Sequence, residues 1–369
     1  MKKYIGFILL SIGSWVLLSG WGYSGHEKIG KGASASFDPL MSQFHEWTQI
    51  IADHSADADK RKSWDGSEGI KHYIDIDNYT IFVETGRISQ DKDSLVSRYG
   101  SVFVNQQGTL PWTTKITFDT LVSCFTRHDF DKAVLVAADL SHYVGDGHMP
   151  LHITSNYDGQ YSNNKGIHSQ YESSMIGRYV NQIQIEGKEV HYVDNVQNYI
   201  FDYLYATYPY IDSVLLADDY ARSVNSNTSS TEYLAALWEK TESFTVELFN
   251  DASLSLANLI YTAWVTAGSP SFDDHTFSKY LDQPNFNIQT IYCKYPDSTL
   301  SVKYNLAENM EIDFGILTMN GEKIRSLNLG ETDSGIHHSN INISGLTDGL
   351  YLLLMNGNGQ SLTQKFLIK

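Results

Sequence analysis

Two residue pairs carry the sharpest chemical signal in this sequence. His142 and Asp146, and again His168 and Glu172, stand four positions apart, so on a helix each pair projects from one face. His152 follows just beyond Pro150, which ends the first helical run. Upstream lie Asp57 and Asp59 in SADADKRK, His72 in KHYIDID, and His26 five residues after Trp21. Neutral imidazole and carboxylate are donors that zinc accepts, and a helical i, i+4 pair aims two of them at one ion. A single pair of this kind arises often by chance. Two pairs, with more His and Asp residues close by, point to a site for several metal ions. No GxSxG elbow offers a serine nucleophile instead.

These residues need rigid elements to hold them, and the periodicity supplies candidates. Lys132 to Val144 (KAVLVAADLSHYV) has apolar residues at helical spacing and no Gly or Pro; Ser229 to Asn250 and Ser253 to Ala267 read the same way. Thr154 to Ile167, rich in Asn, Gly and Ser, reads as a loop long enough to be functional. The character changes after Ser269-Pro270. Short β-rich runs follow at Thr299 to Tyr304, Glu311 to Leu317, Tyr351 to Met355 and Lys365 to Lys369, with turn signals Asn320-Gly321, Asp348-Gly349 and Asn356-Gly357 between them. The expected architecture is an all-α multi-helix domain over 21–270, a linker over 271–287 and a small all-β antiparallel sandwich over 288–369.

The first twenty residues read as a signal peptide. Lys2 and Lys3 precede an apolar run from Ile5 to Leu18, and Leu18-Ser-Gly20 offers small residues for cleavage at about Gly20. The expected destination is outside the cell or on its surface. Cys124 and Cys293 fall in different predicted domains and read as free thiols. The net charge of -17 argues against a broad basic footprint for nucleic acid. Bound multivalent cations would neutralise part of it, so an anionic substrate stays open.

WGYSGH, SADADK, KHYIDID, SHYVGDGHMPLH and GIHSQYE together resemble, in order and approximate spacing, the superfamily of zinc-dependent phospholipases C and fungal-type single-strand nucleases. The resemblance spans about Trp21 to Gly268. It implies a trinuclear-zinc hydrolase fold with three zinc ions. One would be held by Asp57, His72, His142 and Asp146, and a second by His152, His168 and Glu172. The third would take the free amine and carbonyl of Trp21, with His26 and a shared Asp146. Signal-peptide cleavage would then be a maturation step, because an acylated amine cannot bind metal. Asp57 is preferred to Asp59 by its position in the motif, and would also help to take a proton from the attacking water. Lys60 and Arg61 are placed to contact substrate phosphate, or else form a solvated charged loop. Asp75 and Asp77 either orient imidazoles or face water. Asp139 matches no ligand position. His45, His54, His128, His148 and His191 read as structural or exposed.

Glu at position 172 resembles the phospholipases, whereas the short Trp21 to His26 spacing and HMPLH look more like the nucleases. The expectation is a phospholipase C-like enzyme acting on phospholipid or another phosphodiester. The alternatives are a nuclease acting on single-stranded nucleic acid and a non-catalytic zinc-binding surface module. The segment from about Ile288 resembles the C-terminal sorting domains of type IX secretion systems, on KYPDSTLSV, GEKI, LTDGLYLLLMNGNGQ and KFLIK. Secretion machinery is therefore an expected partner.

Overall fold

The computed structural model describes residues 21–37, 39–272, 275, 277, 286–294, 298–318, 323–357 and 360–368. The expected signal peptide lies outside the described residues. The chain divides into a helical unit ending at His275 and a β unit beginning at Thr276.

At the centre of the helical unit runs the Phe130–Gly147 helix. Asp129 caps its start by accepting from the Lys132 amide, and Pro150 bars its continuation. Every residue from Leu140 to Gly147 is buried, as expected of a helix surrounded on all sides. The Leu110–Thr126 helix packs beside it, and Gly22–Gly32 and Trp47–His54 lie against it as well. The expected helices Ser229 to Asn250 and Ser253 to Ala267 are one, Thr231–Thr266, because no Gly or Pro interrupts the sequence between them. Ser230 caps it by accepting from the Tyr233 amide. Its 36 residues make a rod about 54 Å long.

The predicted domain edge at residue 270 needs correction. Phe272 is buried against Phe44, Trp47 and Phe130, and His275 reaches Asp131 at 3.2 Å. Apolar burial therefore carries the helical unit past Ser269-Pro270. Among the described residues no helix is long and apolar enough to cross a membrane.

Among its described residues the β unit holds seven antiparallel strands: β1 Phe286–Lys294, β2 Thr299–Leu306, β3 Met310–Thr318, β4 Lys323–Thr332, β5 Gly335–Asn342, β6 Gly349–Gly357 and β7 Gln360–Ile368. One sheet has the order β1-β2-β5 and the other β4-β3-β6-β7. Alternate residues from both sheets form one core, including Leu300, Val302, Phe314, Ile316, Leu353 and Met355. β1 opens inside the stretch expected to be linker. Neither Cys124 nor Cys293 is in a disulfide.

Candidate metal centre

One helical turn separates His142 from Asp146, and both side chains are fully buried. His142 Nε2 lies 3.2 Å from Asp146 Oδ2. The Gly22–Gly32 helix brings His26 onto the same spot, its ring stacked on His142 at 3.9 Å. Gly145 permits that approach: a Cβ there would stand 3.0 Å from His26 Nδ1. His26 Nε2 faces the other carboxylate oxygen, Asp146 Oδ1, at 3.6 Å. His72, just past a short 3-10 turn at Gly69–Lys71, places Nδ1 2.9 Å from His142 Nε2 and 3.0 Å from Asp146 Oδ2. The short Asp57–Arg61 helix adds Asp59, whose Oδ1 is 3.6 Å from both His72 Nδ1 and His142 Nε2.

A second group meets on the far side of Asp146. His152 Nδ1 is 3.3 Å from Asp146 Oδ1, and its Nε2 is 3.4 Å from Glu172 Oε2. His168 Nε2 is 3.1 Å from the same Glu172 oxygen. The turn carrying Glu172 is a π-helix, Gln170–Met175, a widened coil frequent at functional sites. The loop before it is pinned through Asn164, whose amide donates to Asp218 at 2.8 Å and Asp219 at 2.9 Å. Arg222 and Tyr233 also bond the buried Asp218.

The ring orientations follow from main-chain carbonyls, which only accept. His142 Nδ1 donates to Ser55 O at 2.7 Å, His152 Nδ1 to His72 O at 2.8 Å, and His168 Nδ1 to Tyr157 O at 3.0 Å. In each ring Nδ1 therefore carries a proton, and Nε2 turns inward as the atom left for metal. Three sets of donors converge within a few ångströms: His26, His142 and Asp146; Asp59, His72 and His142; and His152, His168 and Glu172.

The donor chemistry fits divalent metal. His26 Nδ1 and Nε2, Asp59 Oδ2, Asp146 Oδ1, His168 Nε2 and Glu172 Oε2 are all buried and lack a hydrogen-bond partner. Leaving so many polar atoms unsatisfied in one place costs about 1–3 kcal/mol for each, unless a cation sits among them. The charges agree. Burial pushes Asp146 up, but His142 and His152 outweigh it and hold the carboxylate well below its usual range. Burial pushes His152 down, but Asp146 and Glu172 raise it to about 10, so without metal its Nε2 holds a second proton that a divalent cation would displace. His26, with burial and His142 both against its charge, stays neutral well below the usual imidazole range.

Several expected residues stand elsewhere. Asp57 is outside the cluster: its carboxylate accepts from Lys60 Nζ at 2.7 Å and meets His54 Nδ1 at 2.6 Å. Asp59, two residues on, points the other way and joins His72 and His142. Lys60 is spent on Asp57, and Arg61 on Asp139 at 2.8 Å, with Glu68 and Tyr143 beyond. Arg61 is thus held away from the open phosphate contact expected, while the Lys60 side chain stays 56% exposed. Trp21 is fully buried against Tyr171 and Phe249, its indole donating to Gly145 O at 2.8 Å, beside Asp146. Asp77 does not orient an imidazole; it accepts from Thr154 Oγ1 and the Ser155 amide. Burial and the neighbouring Asp77 raise Asp75 to about 7 despite His152. Two residues went unread in the sequence, Glu68 and Tyr143, which meet at 2.5 Å next to His72. The signal for Glu68 was present, since it precedes His72 by four positions.

Comparison with known proteins adds two results. Residues 295–369 match the family described as the secretion system C-terminal sorting domain, which indicates a secreted or cell-surface protein. The chain is also similar to the alpha-toxin of Clostridium absonum, at 11% identity and a TM-score of 0.43, covering 94% of this chain and 98% of that one. It is similar to the alpha-toxin of Clostridium perfringens from an avian strain at 10% identity and a TM-score of 0.42, covering 95% and 98%. No curated protein matches the chain in sequence.

Proposed function

We propose that the chain is a secreted zinc-dependent phosphodiester hydrolase, phospholipase C-like, that works with three zinc ions. The observation that carries this reading is the set of buried donor atoms without partners, gathered in three groups around Asp146. Asp59, His72 and His142 would hold one ion together with Asp146 Oδ2. His152, His168 and Glu172 would hold the second. His26 and Asp146 would hold the third, with the amine and carbonyl of Trp21 once cleavage frees them.

Bound zinc lowers the pKa of water toward neutrality and polarises phosphoryl oxygen, which is the chemistry phosphodiester hydrolysis needs. The protein's share is placement. Asp146 turns one oxygen to His72 and His142 and the other to His26 and His152, tying the groups together. The carbonyls of Ser55, His72 and Tyr157 lock the rings, so ordering the donors costs little at the moment of binding. Asp59 replaces Asp57 as the carboxylate at the first subsite.

Preference for phospholipid rests on the sequence resemblance at Glu172. The test is a paired assay on metal-replete protein beginning at Trp21. One arm offers phosphatidylcholine vesicles, the other single-stranded DNA and RNA, each with a chelator control. Chelator-sensitive release of diacylglycerol with intact nucleic acid is the expected result. Cleavage of nucleic acid with intact lipid would replace phospholipase by nuclease. Bound zinc with silence in both arms would leave a non-catalytic zinc-binding module.

A further inference from the structure

Three of the clustered imidazoles rest their outward nitrogen on a main-chain carbonyl; His72 does not. Its Nδ1 faces inward, toward His142 Nε2, Asp146 Oδ2 and Asp59 Oδ1. Its outward Nε2 is buried without a hydrogen-bond partner of good geometry, and the atom facing it, at 3.5 Å, is Glu68 Oε1. Glu68 is itself only 1% exposed. A carboxylate so deeply buried needs compensation, and the surroundings supply it. Tyr143 OH donates to Oε1 at 2.5 Å, Lys71 Nζ to Oε2 at 2.7 Å, and Arg61 Nη2 lies 3.4 Å from Oε1. Arg61 is braced in turn by Asp139.

We propose that Glu68 is a positioning residue for the first metal subsite, holding the proton of His72 on Nε2 so that Nδ1 is the donor left for metal. A carbonyl could fix the ring as well as a carboxylate does. What an anion adds is basicity: it makes the ring that donates a proton to it a stronger ligand on its other side. Arg61, expected as a phosphate contact or part of a solvated charged loop, joins Lys71 in balancing that carboxylate's charge in a buried place. The inference rests on the metal reading of the cluster.

The test compares the wild-type chain with Glu68→Gln, Glu68→Leu and Tyr143→Phe. Zinc is titrated against a chromophoric chelator, and metal-free chains are melted in parallel. Cadmium-113 coupling to the ring nitrogens of His72 identifies the ligand atom. In the wild type the coupled atom is Nδ1. Glu68→Gln, which keeps shape and loses charge, should weaken one of the zinc sites roughly 10- to 100-fold and spare the others. Tyr143→Phe should weaken the same site less. Glu68→Leu leaves Nε2 without an acceptor and should weaken it most; if that chain does not fold, the other two variants decide. Unchanged zinc affinity in Glu68→Gln would overturn the proposal. So would coupling through Nε2, or an equal loss at every site together with a collapsed melt. A wild-type chain that binds no metal would instead end the metal reading, a result distinct from any of these.

Discussion

Exchanging Asp57 and Asp59 for asparagine, one at a time, separates two carboxylates that differ by two positions in sequence. Asp57→Asn removes partly exposed contacts with His54 and Lys60. Asp59→Asn removes the Lys62 contact at 2.7 Å and the approach to His72 and His142 at 3.6 Å. The partly exposed Asp57 pairs are worth about 0–1 kcal/mol, so metal-free Asp57→Asn should melt within a few degrees of the parent; Asp59 and Lys62 are each 13% exposed, so Asp59→Asn should melt lower but remain folded. Zinc binding should part them. Changing a group that only supports a ligand costs roughly 10- to 100-fold in metal affinity, and losing a ligand carboxylate should cost at least the upper figure. At about 1.4 kcal/mol per tenfold, that is ~3 kcal/mol or more at one site. Competition against a chelator should therefore find three zinc ions in the parent and in Asp57→Asn, and two tightly held in Asp59→Asn. Hydrolysis should fall with the third ion. The reasoning is refuted if Asp57→Asn loses the ion and Asp59→Asn keeps it, or if the two lose it equally.

Three other outcomes are expected. A mature chain carrying one extra alanine before Trp21 should bind one zinc fewer, read by metal analysis after gel filtration, because its amine is moved away from His26. Gly108→Ala should destabilise the helical unit by at least about 2 kcal/mol in urea unfolding, since φ there is +85° and a Cβ would stand 2.1 Å from Tyr73 O. Asp75→Asn should alter the pH dependence of stability in the metal-free chain. Burial and Asp77 raise Asp75 to about 7 from 3.8, so its contribution is full below pH 3.8 and is lost as pH rises through 7. The variant should have a flatter profile over that window and gain about 1–3 kcal/mol at pH 8, a partial fraction of the shift for a group still touched by water; a parallel profile would contradict this.

His142 and Asp146 were legible because helical period alone decides that residues four apart share a face. The same rule shows why Asp57 and Asp59 could not be ranked. Two apart on the Asp57–Arg61 helix, they face nearly opposite ways. Which one meets His72 depends on how that short helix rests against Phe130–Gly147, a fact of packing that no local pattern records. Glu68 was hidden differently: its spacing to His72 was visible, but a buried carboxylate facing an outward ring nitrogen is a tertiary arrangement. In the β unit the strands read from sequence include β2, β3 and β6, each paired on both sides, and part of β7. Those unread, β1, β4 and β5, are all sheet edges. Edge strands have a neighbour on one side only and carry more polar, exposed residues, as in the alternation of β5, so their apolar signal is weak.

The long Thr231–Thr266 helix sets a schedule as well as a shape. Trp21 packs on Phe249 at 4.6 Å, and Ser253 bonds Ile29 across 224 positions. The first helix packs on Trp47–His54 and Phe130–Gly147 as well, but its cover is complete only when the last helix has been made. At about 5–20 residues per second, ribosomal synthesis leaves that interval at roughly 10–50 s. Contacts of such long range also close slowly afterwards. A nascent chain therefore lacks the final wall behind Trp21 and His26 until its last helix is made. On the metal reading proposed above, completing that wall, and with it the subsite of His26, would fall to the compartment in which the whole chain folds.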